Sequence, residues 1–448
     1  MFRRSFHYGA VMDLQNDQAK PLPVRLIVVA GLLVAVAAGA LVLAERSTHR
    51  RGATTSTARV AASRPKLVSV RITSVLPAWL APGARLTVAG WTRRGVRVAL
   101  ALDGRRVVVA TAGAGGRFAL VGPVGRAGHV PVVVRVEGRA FAAGTLLVRP
   151  IRLAAVGDVT PGEGVSAAAS STAAAASYPW AGVTKLLRSA DIATANLEGA
   201  IARTGAPVPD KQYHFRGSTR FLRGAATAGG LDVVTVANNH SLDFGKAGLL
   251  ATLNAVRAVH LRSIGGGANL ARARQPVVLT VGGLRVALLG YTDIRPAGFD
   301  AGPSSPGAAP AEPTYVSTDV ARAHKHADVV VVWFHWGVQN ARKPDARQAL
   351  LARTALQAGA SLVLGAHPHV LQSLKRSPHS LVAWSLGNFV FPSVGAATQT
   401  GVLLVGLDAR GVAGARLVPA TIRGFRPVLN APLKAPRALE RAWAFQRN

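Results

Sequence analysis

Cysteine is absent from this 448-residue sequence, and acidic residues are scarce. Without cysteine, disulfides and thiolate metal sites are excluded, so a metal ion would have to be bound by histidine, asparagine or carboxylate side chains. The 20 acidic residues face 53 lysines and arginines, which gives a formal charge of +33. Such a charge favours anionic partners, although a general bias of composition toward Ala, Arg, Gly and Val is the simpler explanation.

Compact runs of Lys and Arg with interleaved aromatic residues are also absent, which argues against nucleic acid as a partner. One apolar stretch, residues 26–44, carries no charge and is long enough to cross a bilayer as a helix. A cleaved signal peptide would have a shorter apolar region and small residues at the cleavage site, whereas Glu45 and Arg46 follow here. We therefore expect an uncleaved anchor.

The expected topology is a single-pass protein of the cell membrane with a cytoplasmic segment at 1–25, the anchor at 26–44 and extracytoplasmic domains beyond a linker at 45–65. The flanking charges are too evenly balanced to fix this orientation by themselves. Between residues 66 and 150, short alternating runs such as 85–88 and 96–100 are separated by Gly, Pro and turn pairs. This spacing predicts a small Ig-like β-sandwich, with a spacer or a polymer-binding module as its default role.

From residue 151 onward, buried apolar runs such as 153–156, 233–237 and 329–334 alternate with amphipathic helical stretches. This alternation predicts an α/β domain with a largely parallel sheet covered by helices, over residues 151–428, followed by a C-terminal tail at 429–448. Ligands of such sheets gather at the carboxyl ends of the strands.

Polar residues stand at the carboxyl ends of these predicted strands. In chain order they are Asp158, Glu198, Asn239, His240, His335, His367 and His369. Each alone has an ordinary explanation: Asp158 is compatible with a helix cap, and His335 with a buried histidine bonded to the backbone. Independent core histidines would scatter over both ends of the strands. The joint pattern therefore predicts a hydrolytic metal site.

The residue types favour one or two divalent ions, with Zn, Mn or Fe as the candidates. Asp158 or Glu198 could bridge two ions, which would hold both the attacking and the leaving oxygen of a displacement. Asn239 would supply an oxygen ligand, and its neighbour His240 would donate a proton to the leaving group.

Six short segments repeat a known order of motifs. They are Gly-Asp-Val-Thr-Pro-Gly (157–162), Ala-Asn-Leu-Glu-Gly (195–199), Ala-Asn-Asn-His-Ser-Leu-Asp-Phe-Gly (237–245), His-Trp-Gly (335–337), Gly-Ala-His-Pro-His-Val (365–370) and Ser-Leu-Gly-Asn-Phe (385–389). In this order they resemble the CapA family of poly-γ-glutamate capsule biosynthesis, whose domain is similar to the calcineurin-like metallophosphoesterases. The resemblance covers about residues 151–428.

The resemblance implies a four-layer metallophosphoesterase-like α/β sandwich in a membrane-anchored extracytoplasmic protein that works with a capsule polymer. It implies His240 as the acid and six metal positions, namely Asp158, Glu198, Asn239, His335, His367 and His369. Metallophosphoesterases generally begin with Asp-X-His, but position 160 is threonine here. One ion would lose a ligand, so a weak second site or a mononuclear site is implied.

Four further residues are assigned to the substrate side of the site, although each is equally compatible with a structural turn. They are Asn196, Asp243, Tyr291 and Asn388. Two functions remain open. The first is a metal-dependent hydrolase-type enzyme of capsule or poly-γ-glutamate biosynthesis or export; the second is a non-catalytic component that binds the anionic envelope polymer. Capsule synthase components are expected partners in both.

Overall fold

The computed structural model describes residues 68–162, 164–169, 174–203, 205–433 and 435–445. The predicted cytoplasmic segment 1–25, the anchor 26–44 and the linker 45–65 lie outside these residues. Among the described residues no helix is both long and apolar enough to span a membrane. The described residues all belong to one compact unit, Lys66–Asn448.

Alternating exposed and buried residues between 68 and 150 form eight strands. Their bounds are β1 (Arg71–Ile72), β2 (Trp79–Leu80), β3 (Arg85–Trp91), β4 (Arg97–Leu102), β5 (Arg105–Thr111), β6 (Arg117–Pro123), β7 (Gly128–Val136) and β8 (Arg139–Val148). They make two sheets, with orders β1-β3-β6 and β2-β8-β7-β4-β5. This region is therefore all-β, while its Ig-like type and the boundaries 66–150 stay predictions.

The remaining strands are β9 (Ile151–Val159), β10 (Ile192–Leu197), β11 (Val233–Thr235), β12 (Arg262–Ile264), β13 (Gly266–Gly267), β14 (Val277–Val281), β15 (Leu284–Thr292), β16 (Gly307–Ala308), β17 (Val329–His335), β18 (Leu362–Ala366), β19 (Leu374–Arg376), β20 (Leu381–Ala383), β21 (Asn388–Val390), β22 (Gln399–Asp408), β23 (Gly411–Arg423) and β24 (Arg426–Leu429). The α-helices are α1 (Val165–Ala168), α2 (Thr184–Leu187), α3 (Thr219–Thr227), α4 (Gly245–Ala258), α5 (Leu270–Ala273), α6 (Pro313–His324), α7 (Ala346–Gln357) and α8 (Pro436–Trp443). Strands and helices alternate through most of this region, as its sequence pattern predicts.

Two large sheets pack face to face in the α/β region. The first has the order β12-β11-β10-β9-β22-β23-β24, with β21 beside β9, and the second has the order β14-β15-β17-β18-β20-β19. Side chains such as Leu153 and Val331 fill the space between the sheets. Helix α4 covers the far side of the first sheet through Leu249, and α6 covers the far side of the second through Val320. The layers therefore run helix, sheet, sheet, helix.

The all-β region is joined directly to the α/β region. Ala81 N donates to Gly282 O at 2.8 Å in the β14–β15 turn, and Ala409 N donates to Pro82 O at 3.0 Å. Arg149 makes a two-pronged ion pair with Asp191 at 2.7 and 2.8 Å. Because backbone and charged groups both cross this junction, the two regions share one continuous core.

Residues predicted as a tail from 429 onward instead extend the fold. Leu429 ends β24, and α8 packs its buried face, including Ala442 and Trp443, on the outer core of the first sheet. Trp443 Nε1 donates to Ser189 Oγ at 2.8 Å. Two turns of helix that bury one tryptophan are too short to stand out in sequence.

A β-bulge in β9 directs Asp158 toward the second sheet. Ala195 pairs with Val156 but the next residue, Asn196, pairs with Asp158, so Gly157 is the extra residue. An uninterrupted strand, with its period of two, would have turned Asp158 to the helical side. A Cβ at position 157 would lie 1.8 Å from Gly387 O, so only glycine fits at the bulge.

We expect Gly157→Ala to lower the free energy of unfolding by about 2–4 kcal/mol, because β21 must move away from β9 to admit the methyl group. Chemical denaturation of the two proteins measures this difference. Gly125→Ala is the matched control, since a Cβ at position 125 meets nothing within 4 Å. Equal stability of the 157 variant and the control would show that the bulge does not need glycine.

Candidate metal centre

The carboxyl ends of strands from both sheets meet at one point and bring together all seven polar residues predicted from the strand ends. Asp158 and Glu198 come from β9 and the residue after β10, and Asn239 and His240 come from the loop after β11. His335 ends β17, while His367 and His369 follow β18. The first sheet thus supplies the carboxylates, and the second supplies most of the imidazoles.

Glu198 occupies the middle of this cluster. Its side chain is completely buried, and its Oε1 has no hydrogen-bond partner. Oε1 lies 3.9 Å from the Nε2 atoms of three histidines, His240, His335 and His369. Burial, followed by the charge of Asp158, raises the pKa of Glu198 well above its usual range. The ionised form of Glu198 is therefore disfavoured unless a positive group lies next to it.

Asp158 is held by groups from both sheets. Its Oδ1 accepts a hydrogen bond from Asn196 Nδ2 at 2.8 Å, and its Oδ2 accepts one from the backbone N–H of His367 at 3.3 Å. Oδ2 also lies 3.2 Å from His369 Nδ1. The carboxylate of Asp158 therefore ties the His-Pro-His loop to the first sheet.

His335 lies between two amides. Asn196 Nδ2 is 3.2 Å from its Nδ1, and Asn239 Oδ1 is 2.7 Å from its Nε2. Burial, reinforced by the neighbouring histidines, lowers the pKa of His335 well below its usual range. The ring is thus kept neutral, which is the form that binds a metal ion.

The loop of His367 and His369 has an unusual backbone. Both residues have positive φ, 96° and 59°, a conformation that non-glycine residues rarely adopt. His367 Nδ1 is buried without a partner, and burial together with the charge of His369 lowers the pKa of His367 to about 4. Burial would also lower the pKa of His369, but the charges of Glu198 and Asp158 prevail and raise it to about 9.

The imidazole of His240 is oriented by side chains other than Asp158 and Glu198. Its Nδ1 lies 2.8 Å from Asp243 Oδ2 and 3.0 Å from Lys211 Nζ. The ring of Phe215 stacks on the imidazole with centroids 4.0 Å apart. Burial lowers the pKa of His240 despite the hydrogen bond with Asp243. These contacts leave Nε2 as the atom that faces Glu198.

Three of the residues assigned to substrate binding hold the cluster together instead. Asn196 and Asp243 are fully buried, and Asn388 is 3% exposed. Asn196 bridges Asp158 and His335, Asp243 holds His240, and Asn388 Oδ1 lies 2.8 Å from His369 Nδ1. Their polar atoms are therefore already engaged with neighbouring side chains.

The assignment of Tyr291 to the site was wrong. Tyr291 is fully buried on the helical side of the second sheet, where it stacks on Phe334, and its hydroxyl donates to Asp319 Oδ2 at 3.0 Å. In β15 the side chains of Val286 and Leu288 face the other sheet, so the alternation of the strand turns Tyr291 away from the centre.

Two residues of the site were missed in the sequence. Lys211 Nζ contacts Asp243 Oδ1 and Asn239 O as well as His240, and Phe215 covers the His240 ring. Both lie in the loop between β10 and α3, which has no strand end to mark it. A lysine and an aromatic residue close together in that loop are a weak signal at best.

A divalent cation fits this set of donors. Two groups of side chains have ligand atoms within 4.8 Å of one another: Glu198, His367 and His369 form one, and Asp158, Glu198 and His335 form the other. Two atoms that each lie about 2.1 Å from one ion are at most about 4.2 Å apart, and the 3.9 Å contacts of Glu198 satisfy this limit. The unpartnered atoms of Glu198 and His367 are then the natural ligands.

Sequence comparison identifies the family. The profile of the bacterial capsule synthesis protein PGA_cap matches residues 152–393, the segment that holds the whole cluster. The chain belongs to this family. Thr160 departs from the metallophosphoesterase pattern, and its Oγ1 accepts a hydrogen bond from Gly162 N at 3.0 Å.

Two relatives illustrate the assignment. The chain is 31% identical over 282 residues to PGA biosynthesis protein CapA of Bacillus subtilis (strain 168), covering 62% of this chain and 73% of that protein. It is 32% identical over 258 residues to capsule biosynthesis protein CapA of Bacillus anthracis, covering 56% and 62%. The crystal structure of a 5'-nucleotidase precursor from Thermus thermophilus is 15% identical, covering 65% of this chain and 57% of that chain, with a TM-score of 0.35. The family assignment rests on the sequence relatives.

Metal binding should release protons, because the pKa of about 9 keeps His369 protonated at neutral pH and the ion needs the neutral ring. We expect at least one proton to be released per Mn²⁺ bound at about pH 7.5, and the affinity to rise as the pH approaches about 9. Calorimetry in two buffers of different ionisation enthalpy measures the release. His369→Gln should reduce it by about one proton; an affinity independent of pH between about 6.5 and 8.5 would contradict the expectation.

Proposed function

We propose that this member of the capsule synthesis family is a membrane-anchored, extracytoplasmic protein with a metal-dependent, hydrolase-type centre that acts on an anionic envelope polymer. Residues 26–44 would supply the anchor, and poly-γ-glutamate or a similar polymer would be the substrate. The names of the Bacillus relatives, which refer to PGA and capsule biosynthesis, support this choice of polymer. Capsule synthase components are the proposed protein partners.

The observation that carries the proposal is the unpartnered Oε1 of Glu198. A buried polar oxygen without a hydrogen bond is rare in native structures, and a bound cation would supply the missing partner. Three imidazole Nε2 atoms surround this oxygen at 3.9 Å. This arrangement of one carboxylate and several imidazoles is typical of a site for a transition-metal ion.

The ion would be held by Asp158, Glu198, Asn239, His335, His367 and His369, as one or two ions of Mn, Zn or Fe. When bound, it would polarise the substrate and activate water. His240 would hold a proton at Nε2, the atom 3.9 Å from Glu198 Oε1, while Asp243 accepts from Nδ1. Its lowered pKa makes the protonated ring a stronger acid, which suits transfer of that proton to a leaving group.

The first test is metal content. Elemental analysis of the protein purified in Mn²⁺- or Zn²⁺-containing buffer should give one or two metal ions per chain. His367→Ala/His369→Ala should lose them because two imidazoles are removed. His324→Ala/His326→Ala is the matched control, since it removes an exposed His-X-His pair at the end of α6. Metal-free wild-type protein would rule out the hydrolase-type centre and favour polymer binding without catalysis.

The second test is turnover. A screen of phosphoesters and γ-glutamyl amides should yield a substrate whose hydrolysis falls by about 10²–10⁴-fold in His240→Ala, the range expected for loss of a general acid. The variant should keep its full metal content because His240 is not among the proposed ligands. Turnover that is unchanged in this variant would assign the proton to another group.

A further inference from the structure

We propose that the outer face of the β1-β3-β6 sheet binds an extended polycarboxylate chain. We call this surface the Trp91 face and define it by the outward side chains of Arg71, Arg85, Trp91 and Arg117, together with the small residues between them. The inference rests on the proposed function only in its choice of polymer. The face lies outside the matched segment 152–393 and takes no part in the metal centre.

A single row of side chains crosses the sheet at one end of the Trp91 face. Arg71 in β1 pairs with Trp91 in β3, which pairs with Arg117 in β6. Directly paired residues of antiparallel strands point to the same side of a sheet. The Cζ atom of Arg117 lies 4.5 Å from the centroid of the Trp91 ring. One guanidinium group thus stacks on the indole, and Arg71 occupies the paired position in the strand on the other side of Trp91.

The row points to solvent. Trp91 is 38% exposed, and Arg71 and Arg117 are exposed. The neighbouring row faces the core, where Phe118 is 5% exposed. A tryptophan placed on the solvent side contributes little to the core, and its exposed ring is a surface that a ligand can cover.

The chemistry of the row suits carboxylates. A guanidinium that stacks on an aromatic ring uses its flat face, so its N–H edge remains available for a two-pronged hydrogen bond to a carboxylate. The all-β region between residues 68 and 150 contains twelve arginines, no lysine and two acidic residues. Of these acids, Glu137 is paired with Arg93, and Asp103 lies in the β4–β5 turn of the other sheet. The three strands of the Trp91 face contain no acidic residue.

The face also provides a path for an extended chain. Along β3, the positions beyond Trp91 on the same side are Ala89, Thr87 and Arg85, and Ala119 pairs with Ala89. Six residues of strand span about 20 Å, so Arg85 places a second cation about 20 Å from the Trp91 row. The small side chains between the two ends leave room for a polymer that carries a carboxylate on each repeat.

Binding of poly-γ-glutamate to the full-length protein, followed by fluorescence anisotropy of end-labelled polymer, tests the inference. We expect Arg71→Ala/Arg117→Ala to weaken binding by about fivefold to tenfold and to make its salt dependence shallower. Trp91→Ala should weaken it by about threefold to tenfold, because the ring no longer orients the guanidinium group of Arg117. All variants should melt within a few degrees of the wild type, since every substituted side chain faces solvent.

Arg105→Ala/Arg106→Ala is the matched control, because it removes two exposed arginines of the β4–β5 hairpin in the other sheet. Equal weakening by both double variants would overturn the inference in favour of a general charge effect. Polyphosphate bound more tightly than polyglutamate, or a neutral polysaccharide bound with the same dependence on Trp91, would overturn the choice of a polycarboxylate. Binding by His367→Ala/His369→Ala at wild-type strength would uphold the face even if the metal centre fails its own tests.

Discussion

The structure of the α/β region depends on the burial of two carboxylates, Asp158 and Glu198, next to each other. Buried like charges are costly, and each must find positive or hydrogen-bonding partners. Those partners come from both sheets, since Asn196 belongs to the first and His367 and His369 follow a strand of the second. The centre therefore assembles only when the two sheets pack against each other in their native alignment. A shift of one sheet along the other would separate both carboxylates from the imidazoles of the second sheet.

The sequence could predict which side chains face the centre only where the local geometry of the strand is regular. Asn196 in β10 and Glu198 just beyond its end are two residues apart and lie on the same face, as the period of a strand predicts. Asp158 reaches the same side only because of the bulge at Gly157, which leaves no clear mark in the sequence. Tyr291 was misplaced for a related reason. A strand buried on both faces is apolar throughout, and nothing in its composition shows which side a given residue faces.

Charge is distributed unevenly over the molecule, and this bears on how an anionic polymer of the proposed kind would approach it. The chain carries +33 overall, yet its candidate centre contains two buried carboxylates. Lys211 and the protonated His369 lie next to these carboxylates and offset part of their charge, so the centre is far less positive than the surface around it. The polymer proposed above would therefore be attracted mainly to the surface, and a cation bound at the centre would add positive charge where the molecule has least of it.

The helix α8 has a consequence for the synthesis of the protein. Glu440 contacts Arg152, and Trp443 contacts Ser189, so residues 435–445 pack against the beginning of the α/β region. Contacts between residues so distant in sequence form late, because a large loop has to close first. The outer core of the first sheet therefore stays partly uncovered on the ribosome until residue 443 has emerged. Throughout translation this apolar surface is open to chaperones and to premature association with other nascent chains.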